Sequence, residues 1–253
     1  MQRILVTLLG LMMLMPAAFA QKGASSADQT LLQLLNRRRT EHGLAPLAMD
    51  AALSRAARAH VSIIIRYPAP AMHQYPGEPD LLTRAAQAGA RFSTVAENVA
   101  GNGNSVAEIE SAWMNSPVHR ANILDPRVNV VGIAVIENRG MLYAVEDFGR
   151  NVPALGRNEA ENRVQQLLRE SGIGPAASSA AREVARRNCE TPTSSIGSSI
   201  LAMQWDGADL TQLPNALLQQ MPQAREHTAA VGACPSKRTA ERFTTYRIAV
   251  LMY

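Results

Sequence analysis

The sequence is short of aromatic residues and of long apolar stretches, and both shortages narrow the classes of protein it can belong to. Aromatic side chains make up 4% of the 253 residues. The net charge is +4, but the basic residues are spread evenly, and no basic stripe is interleaved with aromatics. This pattern argues against nucleic-acid binding. After residue 20, no stretch is long and apolar enough to form a transmembrane segment. At 47% hydrophobic residues, the chain can still bury a real core, which excludes a disordered polypeptide.

The first twenty residues resemble a targeting segment rather than part of the fold. Arg3 supplies a positive start, residues 4–15 form an apolar run, and Pro16 ends that run. Residues 18–20 (AFA) have the small-x-small pattern of a cleavage site. We therefore predict a signal peptide over 1–20 and an exported, periplasmic or extracellular protein. Residue 21 is Gln rather than Cys, so nothing indicates a lipid anchor there.

The sequence has two cysteines, Cys189 and Cys234. An even number of cysteines in an exported protein is typical of a disulfide framework, so we expect one bridge between them. The alternative is a pair of free, buried thiols, which is less favourable outside the cytoplasm.

The periodicity of apolar residues predicts an α+β fold. The first half reads as helices over 28–41, with Asp28 as N-cap, and over 51–66, with Asp50 as N-cap. Asp80 is expected to cap a third helix. Apolar runs on either side of residues 138–140 (NRG) predict a β-hairpin. His60 lies on the apolar face of the second helix, and we interpret it as a core residue whose ring is satisfied by a backbone carbonyl.

Three potential metal ligands stand among turn and cap residues rather than inside apolar runs: His73, Glu97 and His119. Two imidazoles and a carboxylate are the minimum set for a zinc site with an open position, or for acid–base chemistry. Trp113 is interpreted as core packing rather than ligand stacking. Ser116 stands directly before Pro117 and is interpreted as a helix cap rather than a nucleophile.

The second half of the chain reads as a weak copy of the first. A glycine-containing turn after a leucine-rich helix occurs at 43–46 and again at 172–175, and Val131-Gly132 is echoed by Val231-Gly232. In this alignment no histidine matches His73 and an apolar residue replaces Glu97. We predict a signal peptide (1–20), a first domain (27–150), a linker (151–157) and a degenerate second domain (158–253). The alternative is that two unrelated α+β domains look alike.

Residues 29–149 resemble the CAP superfamily, also called the SCP domain, and in particular its short bacterial branch. The residues that carry the resemblance are His73, Arg84, Gly89, Trp113 and the segments 96–100 (AENVA), 116–124 (SPVHRANIL) and 131–133 (VGI). The resemblance implies an α-β-α sandwich with a mostly antiparallel sheet. The second half would then be a smaller, degenerate CAP-like repeat.

The resemblance also implies a cleft with two histidines and two glutamates that binds a divalent metal in some members. His73, His119 and Glu97 match three of the four positions. Ser116 stands where the second glutamate belongs, and Glu110, one turn before Trp113, is a weak substitute. Asn98 and Arg120 are expected to hydrogen-bond to loops around the cleft. Zinc or another divalent cation is the implied cofactor.

Three functions remain open at this point. The first is a binding module with a metal-capable His/Glu cleft, acting on a small lipid, a glycan or a protein ligand. The second is a metal-assisted hydrolase of peptide or cell-wall bonds with Glu97 as the general base. The third is a structural protein in which the His/Glu cluster only fixes loops. Whether the protein is an enzyme is left open.

Overall fold

The computed structural model describes residues 24–67, 70–176, 178–191, 199–221, 227–235 and 246–253. The predicted signal peptide lies outside the described residues. Within them, no helix has both the length and the apolar character needed to cross a membrane.

The first half of the chain folds around a four-stranded sheet. Its elements are α1 (Ser26–Glu41), β1 (Ala48–Met49), α2 (Ala51–Ile64), α3 (Leu81–Gln87), β2 (Phe92–Gly103), α4 (Val106–Asn115), α5 (Pro117–Ile123), β3 (Val130–Asn138) and β4 (Met141–Asn151). The strand order is β1-β3-β4-β2, with β1 parallel to β3 and the other pairs antiparallel. The predicted α+β fold with a mostly antiparallel sheet is confirmed.

Helices cover both faces of this sheet because side chains alternate along the central strands. On β3, Val131, Ile133 and Val135 pack against α1, α4 and α5. Ala134 faces α2 from the opposite side of the strand. The result is the expected α-β-α sandwich. The hairpin between β3 and β4 turns at Arg139 and Gly140, which both have positive φ, as a two-residue type I′ turn requires.

The helix caps are partly as predicted. Asp50 and Asp80 accept backbone hydrogen bonds at the starts of α2 and α3. The prediction for Asp28 is wrong, because Ser25 is the N-cap of α1 and Asp28 is the third helical residue of a capping box. Asp28 is fully buried, and its Oδ1 also accepts a hydrogen bond of 2.7 Å from the backbone N–H of Val135. It therefore ties α1 to the sheet.

The second half folds around another four-stranded sheet. Its described elements are α6 (Arg157–Glu170), β5 (Gly174–Pro175), α7 (Ser179–Glu190), β6 (Leu201–Gly207), α8 (Asn215–Gln220), β7 (Thr228–Pro235) and β8 (Tyr246–Met252). The strand order β5-β7-β8-β6, with β5 parallel to β7 and the other pairs antiparallel, repeats the order and directions of the first sheet.

A close helix–strand contact recurs at the same place in both sheets. A Cβ atom on Gly132 would lie 2.1 Å from the carbonyl carbon of Leu53 in α2. On Gly232 it would lie 2.3 Å from that of Ala185 in α7. Only glycine allows the helix to approach the strand this closely. The contact equates Gly132 with Gly232, and Leu53 with Ala185.

The register of the second sheet corrects one detail of the sequence alignment. Gly132 pairs with Asp147, which pairs with Glu97, whereas Gly232 pairs with Ala249, which pairs with Gln204. Gln204, a polar residue, therefore occupies the position of Glu97, and the predicted apolar replacement is wrong. The sequence alignment of this strand was shifted by two residues, because a short apolar strand gives little information about its register.

The two cysteines form the expected disulfide, with an S–S distance of 2.07 Å. The bridge joins α7 to β7. Counting from the glycine contacts, Cys189 and Cys234 correspond to Ala57 and Ala134, which pack together in the first half. The loop-entropy model gives a 45-residue loop about 4 kcal/mol of stabilisation.

The glycine contact leads to a first prediction. Gly132→Ala should destabilise the first unit by about 1–3 kcal/mol or more, because the new methyl group has no space beside the α2 backbone. Trp113 and Trp205 are the two tryptophans of the chain, one in each unit. Urea unfolding followed by Trp113 fluorescence in a Trp205→Phe background would therefore report on the first unit. Gly101→Ala is the control, since the atoms nearest its added Cβ lie at 3.5 Å. Equal midpoints for the two variants would contradict the account.

Candidate functional site

The predicted site residues lie along one edge of the first sheet. β2 is the terminal strand in the described strand order, and Glu97 is in its middle. The loop that leads to α3 carries His73, and the first turn of α5 carries His119. The exposed imidazole of His73 and the half-exposed imidazole of His119 therefore approach this edge from the two opposite helical layers.

Glu97 is buried, and both of its carboxylate oxygens are engaged. Oε1 accepts a hydrogen bond of 3.0 Å from Nδ1 of His73, and Oε2 forms a close ion pair with Nη2 of Arg84. Burial alone would raise the pKa of Glu97. The hydrogen bond from His73 and the positive charge of Arg84 outweigh that effect and lower the pKa below its ordinary value. The carboxylate is therefore ionised at neutral pH and acts as an acceptor.

An ionised Glu97 fixes the orientation of His73. A carboxylate has no proton to donate, so Nδ1 of His73 must carry the hydrogen of the shared bond. The hydrogen bond to Glu97 raises the pKa of His73. The His73 side chain is 59% exposed, so its Nε2 is left toward solvent. In the neutral ring, Nε2 then holds the lone pair that can accept a hydrogen bond or ligate a metal.

His119 stands near His73 but has a different electrostatic environment. Burial and the positive charge of His73 both lower the pKa of His119. Its helix is tied to β2 by two amide side chains. Asn98 Nδ2 donates to the backbone carbonyl of His119 at 3.3 Å, and Asn122 Nδ2 donates to that of Glu97 at 3.2 Å. The expected role of Asn98 as a hydrogen-bonding support is thus observed.

Other residues around α5 have supporting contacts outside the His/Glu group. Arg120 is exposed and donates to the backbone carbonyl of Met114 at 3.1 Å. Ser116 is the N-cap by position, but its hydroxyl makes no capping hydrogen bond, so that part of the prediction is wrong. Trp113 is buried in the core as predicted and donates to the carbonyl of Val99 in β2.

Glu110 is buried, and its carboxylate is held by Arg38 of α1 at 2.8 and 3.3 Å. This pair clamps α4 against α1 on one face of the sheet. Because Arg38 already binds the Glu110 carboxylate, Glu110 does not take the place of the second glutamate that the resemblance implies.

Sequence reasoning missed the layer of charged residues beneath His73. His60 is fully buried, and its Nε2 lies 3.0 Å from the carbonyl oxygen of Met72, as the carbonyl interpretation predicted. Its Nδ1, however, lies 2.6 Å from Oε1 of Glu78, a partner the sequence did not reveal. Arg84 donates to the carbonyls of His73 and Pro79, so it holds the loop as well as Glu97. The available signal in the sequence was a polar side chain on the buried side of each helix, His60 on α2 and Arg84 on α3.

Two further carboxyl groups are buried on β4 and point to opposite faces of the strand. Asp147 lies beside this layer, and Glu146 lies beside Asn98, whose Nδ2 donates to its Oε2 at 3.2 Å. Glu146 and Asp147 are fully buried. Within the described part of the chain, Oε1 of Glu146 and both carboxylate oxygens of Asp147 have no hydrogen-bond partner. Burial raises the pKa of Glu146 to about 8. Burial, and then the negative charge of Glu97, raise the pKa of Asp147 well above its ordinary value. The sequence signal was a Glu-Asp pair inside an apolar strand.

In the observed side-chain positions, His73, Glu97 and His119 do not form a three-ligand metal site. Among the described residues, no three His, Cys, Asp or Glu side chains are arranged so that they could hold one metal ion. Glu97 is paired with Arg84, and a cation at this distance competes directly with a metal ion for the carboxylate. The donor set that remains at the surface is the two imidazoles of His73 and His119.

Comparison with known proteins gives a family match for the first half of the chain. Residues 32–148 match the model of the cysteine-rich secretory protein family, CAP. The uncharacterized protein YkwD of Bacillus subtilis is 30% identical over 131 residues, which cover 52% of this chain and 50% of that protein. The chain therefore spans about half the length of this curated relative.

Similar solved structures include two bacterial surface or extracellular proteins. One is an extracellular protein containing an SCP domain from Bacillus anthracis, with 24% identity and a TM-score of 0.45, covering 49% of this chain and 40% of that chain. The other is an outer surface protein of Borrelia burgdorferi, with 19% identity and a TM-score of 0.45, covering 50% and 93%.

The buried ion pair generates a second prediction. Arg84→Met keeps the unbranched apolar stem of the side chain but leaves Glu97 buried without its cation, so it should cost about 3–5 kcal/mol of unfolding free energy. Adding Glu97→Gln should recover part of this loss, because the uncompensated charge is then gone. Trp113 fluorescence during urea unfolding measures both effects. The matched control is Arg157→Met, which breaks an exposed pair with Glu190. A loss for Arg84→Met no larger than the control's would refute the assignment.

The raised pKa of Glu146 generates a third prediction. Below about pH 4 the group is protonated in both states and contributes nothing to the pH dependence. Between that pH and about 8, the unfolded chain ionises while the native one stays protonated. Glu146 should therefore contribute a fall in stability of about 1.4 kcal/mol per pH unit, which levels off above pH 8. Glu146→Gln should make the pH dependence shallower by this amount and leave the contribution of Asp147. Urea unfolding of both proteins at pH 5, 6, 7 and 8 measures it, and parallel curves would contradict the account.

Proposed function

Because residues 32–148 match the model of the cysteine-rich secretory protein family, CAP, we propose that this protein is an exported binding module whose ligand contacts His73 and His119. It would act at the cell envelope or outside the cell. The observation that carries the proposal is the exposed His73 imidazole, held by a buried, ionised carboxylate. Export rests on the signal-peptide pattern of residues 1–20.

The physical argument for binding is preorganisation. Glu97 is itself fixed by Arg84, so the ring of His73 does not need to be ordered when a ligand arrives. A hydrogen bond that is oriented in advance favours a specific polar partner, such as a sugar hydroxyl, a lipid headgroup or a protein side chain. These three classes share a polar group that meets Nε2 of His73.

Exposed apolar residues next to both histidines support a ligand with an apolar portion. Met72, before His73, is 42% exposed, and Val118, before His119, is 71% exposed. Met72 lies on the loop before α3 and Val118 in the first turn of α5, so the surface beside each histidine has an apolar part. A small lipid, an amphipathic glycan derivative or a protein would cover it.

Divalent metal binding at this place stays a prediction. Catalytic zinc sites in proteins use three protein ligands, and two imidazoles alone make a weaker site that needs ligands from solvent or from a partner. In such a site His73 and His119 would be the ligands, and Glu97 would orient His73 rather than touch the metal.

The two alternatives account for less of the geometry. As a hydrolytic base, Glu97 would need a free oxygen and a pKa near the working pH, whereas both oxygens are engaged and its pKa is lowered. A purely structural role fits Glu97, Arg84, His60 and Glu78, which hold the loop. It gives no reason for His73 to expose its imidazole.

Zinc serves as a chemical probe for the fourth prediction. If the two imidazoles face a common point, calorimetric titration should show one zinc ion bound per protein. The His73→Ala/His119→Ala double variant should lose at least tenfold in affinity. The exposed His42, at the C-cap of α1, provides the control, because His42→Ala should bind as the wild type does. Zinc binding that is unaffected by the double variant would contradict a shared point.

Incubation with purified peptidoglycan or casein separates the functional alternatives. A binding module retains one of them, or neither, without releasing soluble fragments. Fragment release that depends on Glu97, tested with Glu97→Gln, would replace the binding proposal with the hydrolase.

A further inference from the structure

We propose that the ligand of the His73 surface is a glycan of N-acetylated amino sugars, and that a small crevice next to His73 recognises the acetamido group. The proposal names the ligand class of the binding module and rests on that proposed function. The crevice, which we name the tyrosine crevice, is lined mainly by Tyr67, Ala71, Tyr75, Gly101, Asn102 and Tyr143. Three of the five tyrosines in the chain therefore meet at one place.

The tyrosine crevice lies beside the His73 imidazole, along the same edge strand. Glu97 of β2 holds His73, and Gly101, four residues further along β2, approaches the loop that carries His73. A Cβ atom on Gly101 would lie 3.5 Å from the Cβ of Ala71. Ala71 and His73 are two residues apart, so the chain between them spans at most about 7 Å. A sugar residue bound over the crevice therefore leaves the next residue of the same glycan within reach of His73.

Tyr67 presents a fixed aromatic ring to the ligand. Its ring stacks on that of the buried Tyr75, with ring centroids 4.5 Å apart. The hydroxyl of Tyr75 accepts a hydrogen bond of 3.2 Å from the backbone N–H of Met72, which ties the stack to the loop. Tyr67 is still 44% exposed, so one face of its ring is left in water. The C–H groups of a sugar ring form an apolar face that packs on such a ring, and a ring that is already held loses little freedom on binding.

Asn102 supplies a polar contact for an acetamido group. Its backbone has a φ of 62°, a conformation that is uncommon for residues other than glycine. Its Oδ1 accepts a hydrogen bond of 2.9 Å from the hydroxyl of Tyr143, which fixes the orientation of the amide. Among the described residues, its Nδ2 has no hydrogen-bond partner, so both N–H groups are free to donate. The carbonyl oxygen of an acetamido group is a matching acceptor.

The size and lining of the crevice favour the methyl end of the same group. Its volume is about 10 Å³, which is room for about one water molecule or one methyl group. Ile64, Pro70 and Ala71 line it together with the tyrosine rings, so its walls are largely apolar. A water molecule needs roughly two to four polar partners, which such walls do not supply, whereas a methyl group gains by leaving water. An acetamido group carries its methyl next to its carbonyl and therefore fits both the crevice and Asn102.

Two tetrasaccharides that differ at the second carbon of each sugar ring test the proposal. Calorimetric titration of the purified protein should show saturable binding of tetra-N-acetylchitotetraose. Cellotetraose, which has a hydroxyl in place of each acetamido group, should bind at least tenfold more weakly. Asn102→Gly and Tyr67→Ala should each weaken binding of the acetylated probe at least fivefold. Glycine adopts the positive φ at this position readily, so Asn102→Gly removes the amide without straining the backbone. The matched control is Asn162→Ala, which removes an exposed amide of α6 and should bind as the wild type does.

The His73→Ala/His119→Ala variant separates this proposal from the function on which it rests. The variant should bind the acetylated probe more weakly but keep its preference over cellotetraose. Wild-type affinity in this variant, with weakened binding in Asn102→Gly, would overturn the contact with the histidines and support the crevice. Circular dichroism confirms that each variant is folded. Absence of saturable binding, equal affinity for the two tetrasaccharides, or unchanged affinity in both Asn102→Gly and Tyr67→Ala would overturn the assignment of the crevice.

Discussion

The ion pair between Glu97 and Arg84 is the interaction on which the organisation of the first unit depends. It joins the edge strand β2 to α3, and Arg84 extends the connection to the carbonyls of the loop that carries His73. Taking two charges out of water is costly unless each finds partners, and here His73 and the loop carbonyls supply them. The pair therefore contributes more to the placement of an exposed imidazole than to net stability.

The two halves of the chain stabilise the same strand order in different ways. The first buries charged and polar groups at Glu97, Asp147 and the neighbouring layer. The second has Gln204 and Ala249 at the corresponding register positions, and its disulfide replaces a contact between two small residues. The second unit has no counterpart of His73 to hold in place, so it does not need buried charges at the positions of Glu97 and Asp147. A cross-link supplies stability without their desolvation cost.

The fold was largely predictable from the sequence because its signals are local. Asp50 and Asp80 cap helices, and residues 138–140 turn a hairpin, through contacts within a few residues. The register of β6 was not predictable, since a short apolar strand reads the same after a shift of two residues. Cap assignments failed where a tertiary partner competed, as with Asp28, which turns to the β3 backbone. In the site, His73, Glu97 and His119 were identifiable. The roles of Arg84, Glu78 and Asp147 depend on contacts between distant segments.

The central claim is that buried Glu97 determines which nitrogen of His73 carries the proton. Two-dimensional ¹⁵N–¹H spectra of the imidazole rings test this directly at a pH where His73 is neutral. The account predicts that Nδ1 of His73 is protonated and Nε2 is not. A ring protonated at Nε2, as in an imidazole without a carboxylate partner at Nδ1, would contradict it.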